Sequence, residues 1–256
     1  MLRIFYSDFR FLFKQLSFKI VTGVVVGYSI FFVVALKLVI HFVNEGNMIS
    51  GEDVLSSYND IATLAITAAT LLLLNSDFAN GTIRNKLARG IKRSEIYLSS
   101  IFNGMLAAVV LTAITVFFEI ILALIFTDGF ITFTVKEMAD NILKLLITAS
   151  SIGAFTSMFI MVFGGTKIAY FVGFVLAFFF DIIGAMVTND LYPMSGNCTL
   201  EGTKLVLYTA YDRFMPYMHF EEYPRWDIFS YLIGSGVLIA VSIFVGMIIF
   251  EKKEIK

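Results

Sequence analysis

The stretch Asn75 to Ser99, NSDFANGTIRNKLARGIKRSEIYLS, separates two long apolar runs and governs the reading of the whole chain. Between positions 84 and 93 it gathers Arg84, Lys86, Arg89, Lys92 and Arg93, with the turn-prone pair Asn80-Gly81 ahead of them and Gly90 among them. Charge this dense does not enter hydrocarbon, and clustered Lys and Arg mark a loop held on the cytoplasmic side of a membrane. The turn signals leave room for one short helix, so the segment reads as a compact basic elbow. No G-x-x-x-x-G-K-[ST] occurs anywhere in the chain, which therefore has no P-loop of its own. A basic elbow on such a protein is a handle for another subunit.

Working outward, the composition is that of an integral membrane protein. Apolar residues make up 58% of 256 and charged residues 15%, with 28 phenylalanines, and the mean hydropathy is +0.84. Most of such a chain lies in lipid. The net charge of -1 excludes general binding to polyanions, nucleic acid included. Cys198 is the single cysteine, so no internal disulfide framework holds the fold.

Hydropathy gives six spans near Ile20–Phe42, Ser57–Ser76, Ile96–Phe126, Ile142–Phe163, Ile168–Val187 and Ile228–Phe250, each near the roughly 20 residues that cross about 30 Å of hydrocarbon. The third is overlong and is expected to project beyond the membrane. Only Gly164-Gly165-Thr166-Lys167 separates the fourth from the fifth, as in a tight hairpin. Arg3, Arg10, Lys14, Lys19, the elbow cations, Lys167 and the tail lysines fall on one side of this arrangement. The other side has Lys136, Lys204, Arg213 and Arg225, and its first loop region is acidic, with Glu45, Glu52, Asp53 and Asp60. The asymmetry puts both termini in the cytoplasm.

Residues 1–19 lack the pattern of a cleavable signal, because their cations are spread along the segment. On a helical wheel Arg3, Arg10 and Lys14 fall on one arc and Leu2, Phe5, Phe9, Leu12, Phe13 and Leu16 on another. This predicts an amphipathic interfacial helix, its cations facing the phosphates of membrane lipids. Small residues at helical spacing, Ala65 and Ala69, then Ala149, Gly153 and Ser157, and the group Gly234-Ser235-Gly236, predict close helix contacts or a sliding seam.

Lys37, Glu119, Lys144 and Asp181 fall within apolar spans, all in the outer half on this topology. A charge there costs several kcal/mol unless paired or hydrated. The constraint is met by structural ion pairs or by snorkelling, the latter especially for Lys37 and Lys144, or by Glu119 and Asp181 lining a shared polar pathway. The polar segment 188–227 mixes Asp190, Glu201, Asp212, Glu221 and Glu222 with Tyr192, Tyr208, Tyr211, Phe214, Tyr217, Phe220, Tyr223 and Trp226. Such a mixture suits a membrane surface, and Gly202–Ala210 is predicted to form a short helix there.

The pattern Asp77-x-x-x-Gly81-Thr82-Ile83-Arg84, followed by Lys92-Arg93-Ser94 and the apolar start Ile96-Tyr97-Leu98, resembles the coupling elbow of ABC-2 type transporter permeases. The order of elements is similar along the whole chain. The resemblance implies a single all-α transmembrane domain over 1–256: an interfacial helix at 1–19, a cytoplasmic coupling elbow at 77–95 and an extracellular helical cap at 188–227. It implies contact with an ABC ATPase through Asp77, Gly81, Thr82, Arg84, Lys86, Arg89, Lys92 and Arg93. It further implies two ATPase copies carrying the ATP and Mg, a second permease of the same or a homologous sequence, and residence in a bacterial plasma membrane. Compact members export amphipathic or antimicrobial peptides, antibiotics or lipid-like molecules, confer self-protection, or extrude ions. A non-transporting scaffold or sensor of the same ATPase, and a secondary transporter, are the alternatives.

Enzymatic readings find little support in the residues. With only His41 and His219 no H-E-x-x-H zinc motif can form. Glu221-Glu222-Tyr223-Pro224-Arg225 is similar to the paired-Glu and Arg signature of CAAX-type intramembrane proteases, but is one residue short, contains Pro, and lies in a loop where that chemistry needs a helix.

Overall fold

The computed structural model describes residues 13–43, 49–131, 133–193, 198, 200–220 and 226–253. Among them the regular elements are α1 (Leu16–Val43), α2 (Gly51–Ala79), α3 (Thr82–Ala88), α4 (Arg93–Phe126), α5 (Val135–Phe163), α6 (Lys167–Leu191), α7 (Gly202–Phe214), a 3-10 turn (Pro216–Phe220) and α8 (Ile228–Lys252). Six of these helices, α1, α2, α4, α5, α6 and α8, are long and apolar enough to cross a membrane. The chain is thus an all-α protein of multi-pass membrane character. Residues 1–12, which hold Arg3, Phe5, Phe9, Arg10 and Leu12, and residues 221–225 with the Glu-Glu pair, lie outside the described residues.

Two of the span starts are written in the sequence as capping boxes. Ser50 accepts from the Asp53 amide at 3.2 Å while Asp53 accepts from the Ser50 amide at 3.1 Å, and Thr134 with Glu137 does the same for α5 at 3.3 and 2.8 Å. Each box satisfies helix-terminal donors within four residues. It also moves the start of α2 to Gly51, so Glu52, Asp53 and Asp60, read from the sequence as belonging to the acidic first loop region, are helical. Glu52 is buried and accepts from the amides of Ile131 and Phe133 at 3.3 and 2.9 Å, tying the head of α2 to the α4–α5 connection.

Layering follows from how much of each helix is covered. In their most apolar windows α5 is 67% buried and α2 56%, against 17% for α1 and 22% for both α6 and α8, so α2 and α5 form the centre and the others the rim. Gly104 of α4 and Gly153 of α5 set the closest crossing: a Cβ on Gly153 would overlap the Gly104 carbonyl and the Ala108 side chain. Backbones approach this closely only where side chains are absent. The Ala149, Gly153 and Ser157 stripe is therefore an internal α4–α5 contact, and Ala65 and Ala69 are likewise buried. After α5, Gly164 and Gly165 at φ 70° and 69° turn the chain directly into α6, a left-handed geometry that glycine adopts without strain.

Candidate functional site

Two features stand out: a basic end built around α3 and a polar cleft between α2 and α6. At the basic end Gly81 begins α3 in the left-handed conformation, φ 65°. Ile83 is 2% exposed and packs with Leu87, Ile91, Phe78, Ile96 and Tyr97. That apolar side fixes the other: Arg84, Arg89 and Lys92 are exposed, while Thr82, Lys86 and Arg93 are half-buried. Asp77 lies in the last turns of α2, one element upstream. The charged segment is therefore a docked amphipathic helix rather than a loose loop.

Arg93 opens α4, and its guanidinium donates to the main-chain carbonyls of Glu251 at 3.0 Å and Lys253 at 2.5 Å, at the end of α8. A cation on helix-terminal carbonyls is favourable, since these carry the negative end of the helix dipole. Lys253 in turn donates from Nζ to the Val162 carbonyl at 2.7 Å, near the end of α5. Through these bonds the ends of α4, α5 and α8 are laced together beside the basic helix.

The cleft has a volume of about 370 Å³ and is lined by Asn59, Asp60, Thr63, Asp181, Ile182, Ala185, Tyr217 and Phe220. Asn59, Asp60 and Thr63 share one face of α2 by their spacing. Thr63, 2% exposed, reaches both carboxylate oxygens of Asp181, at 2.9 and 2.8 Å. Tyr217 and Phe220 come from the 3-10 turn and are almost wholly buried. Asp60 is exposed at the mouth.

Glu119 does not line this cleft. It is fully buried on α4, where Oε1 accepts from Ser29 of α1 at 3.0 Å and Ser57 of α2 at 2.7 Å, while Oε2 has no hydrogen-bond partner. The two carboxylates thus meet α2 at different places, and the structure does not bring them into one cavity. Neither is held by the lysines of the spans. Lys37 sits 5.0 Å from the centre of the Phe126 ring, and Lys144 pairs with Asp140, one turn away, at 2.6 Å and faces the Tyr231 ring at 5.4 Å. Lys14 is exposed at the head of the described chain.

Asn59 and Thr63 went unnoticed in the sequence, while Asp60 was read only as part of the acidic first loop region and Tyr217 only as one of the aromatics of segment 188–227. A signal existed, because Ser50-x-x-Asp53 marks the helix start and places Asp60 well inside a span. Ser29 and Ser57 carried none, being ordinary small residues on apolar helices. No protein-family model matches the chain, and no curated protein matches it.

Proposed function

We propose that the chain is the permease subunit of an ATP-driven ABC exporter in a bacterial plasma membrane. It moves an amphipathic peptide, antibiotic or lipid-like substrate outward, driven by a separate ATPase. The basic end faces the cytoplasm with both termini, and α7 with the 3-10 turn forms the extracellular cap. The observation that carries this reading is the docked α3: its cations point outward while Ile83 anchors it to the bundle. A force applied there passes into α2 and α4, and through Arg93 into α8. Helices moved as rigid levers by a partner are an established way to alternate access. No nucleotide motif is needed on this chain, since ATP and Mg reside on the two ATPase copies.

The pathway is shared with a second permease, identical or homologous. Asp60 lies about 13 Å from the head of α2 at 1.5 Å per residue and is exposed on the single chain. A carboxylate at that depth faces water or protein, not acyl chains. The α2–α6 face is accordingly the inward-looking one in the assembled exporter.

The test is charge reversal on the exposed face of α3. With Arg84→Glu and Arg89→Glu together, membrane insertion and yield are expected to stay at wild-type levels, while co-purification with the proposed partner ATPase falls about tenfold or more. Undiminished association and ATP turnover in the double variant would assign the handle elsewhere.

A further inference from the structure

We propose that the cleft between α2 and α6 binds an organic ammonium group carried on an apolar body. Its two carboxylates can only accept while ionised, and the donors around them are few. Asp60 and Asp181 contribute carboxylates, and the enclosed Oδ1 of Asn59 accepts no hydrogen bond. The Thr63 hydroxyl has one hydrogen for the two Asp181 oxygens, so one of them is always without that donor. Among the described residues no cation is seen to pair with them: Lys144 is held by Asp140, Lys204 by Asp190 and Arg213 by Asp227, all outside the cleft. Acceptors this short of donors at membrane depth select a ligand that brings N–H donors and positive charge.

The remaining walls specify the rest of the ligand. Tyr217 and Phe220 contribute aromatic surface, and Ile182 and Ala185 add aliphatic lining from α6. The rings are held in place, Tyr217 stacking on Phe180 with centroids 4.8 Å apart and Phe220 meeting Tyr58 edge-on at 6.1 Å. Aromatic faces attract an ammonium and also bury apolar groups. The volume of about 370 Å³ exceeds the ~150 Å³ that accommodates benzene in an apolar cavity, so an ammonium with an attached ring or short chain fits. The site rests on the exporter reading only for its ligand being cargo; binding itself requires no ATPase.

The experiment uses the purified chain, without ATPase, in phosphatidylglycerol nanodiscs. Phenethylammonium binding is measured by equilibrium dialysis, with phenethyl alcohol as the uncharged match. Saturable binding of the amine alone is expected, weakened about tenfold or more by Asp181→Asn. Ala185→Trp fills the mouth while leaving both carboxylates in place, and is expected to abolish binding, which keeps the test decisive if Asp181→Asn folds poorly. Equal binding of the alcohol, or wild-type affinity in Ala185→Trp, overturns the proposal. Repeating the measurement with phosphatidylethanolamine in the discs separates two sources of the ammonium: competition identifies a lipid headgroup, and unchanged affinity a soluble amphipathic amine. A failure here leaves ATPase association untouched, and a failure of association leaves this binding untouched.

Discussion

His219 shows how one side chain is fixed by everything packed around it. Its ring lies 3.9 Å from that of Tyr231. Nε2 is 3.2 Å from the Arg213 carbonyl, which can only accept, so Nε2 carries the hydrogen and Nδ1 is left to accept from Thr148 at 3.4 Å. Burial pushes the imidazole down from 6.5 to about 4, with the Arg213 carbonyl opposing the fall and the Lys144 charge adding to it. Asp140 holds the Lys144 ammonium beside this group. A depressed folded value means that the neutral ring stabilises the fold fully above pH 6.5, and that this contribution is lost as the pH falls toward 4. The loss amounts to up to about 3 kcal/mol. Thermal unfolding followed from pH 7 to 4.5 is expected to show a steep drop for the wild type and a shallower one for His219→Gln. Parallel curves would remove His219 as the titrating group. None of this was legible in the sequence, where His219 counted only as one of two histidines too few for a zinc motif, because its partners come from α5, α7 and α8.

At the scale of elements the sequence was read most securely where periodicity and punctuation agree. The six spans, the short helix after Gly81 and the one after Glu201 occur where hydropathy and turn residues put them. Boundaries drifted outward, since hydropathy sees the apolar centre of a helix and not the polar turn that caps it. The largest shifts are at two starts, from Ile142 back to Val135 for α5 and from Ser57 back to Gly51 for α2. The pairing of intramembrane charges was beyond reach for a different reason: Glu119 is held at one oxygen by serines of α1 and α2 and Lys144 by its own helix, and no spacing encodes either. For α3 the decisive residue is apolar. Ile83→Ala should cost the docked elbow about 2 kcal/mol or more, seen as faster hydrogen exchange over residues 80–92 while exchange in α5 stays unchanged. Uniform protection in the variant would mean that α3 is held by its charges instead.

For the whole molecule, orientation across the membrane is the property that everything proposed depends on. The single, exposed Cys198 lies between α6 and α7, at the end assigned to the cell exterior. A membrane-impermeant maleimide applied to intact cells is expected to label it, and labelling only after lysis would invert the topology. The capping boxes at Ser50–Asp53 and Thr134–Glu137 bear on how that topology is reached. On the proposed topology both sit at the heads of helices that re-enter the bilayer from outside, and all their partners lie within four consecutive residues. Each of these two heads can therefore close its first turn with its own residues, whatever the order in which the surrounding helices pack against it.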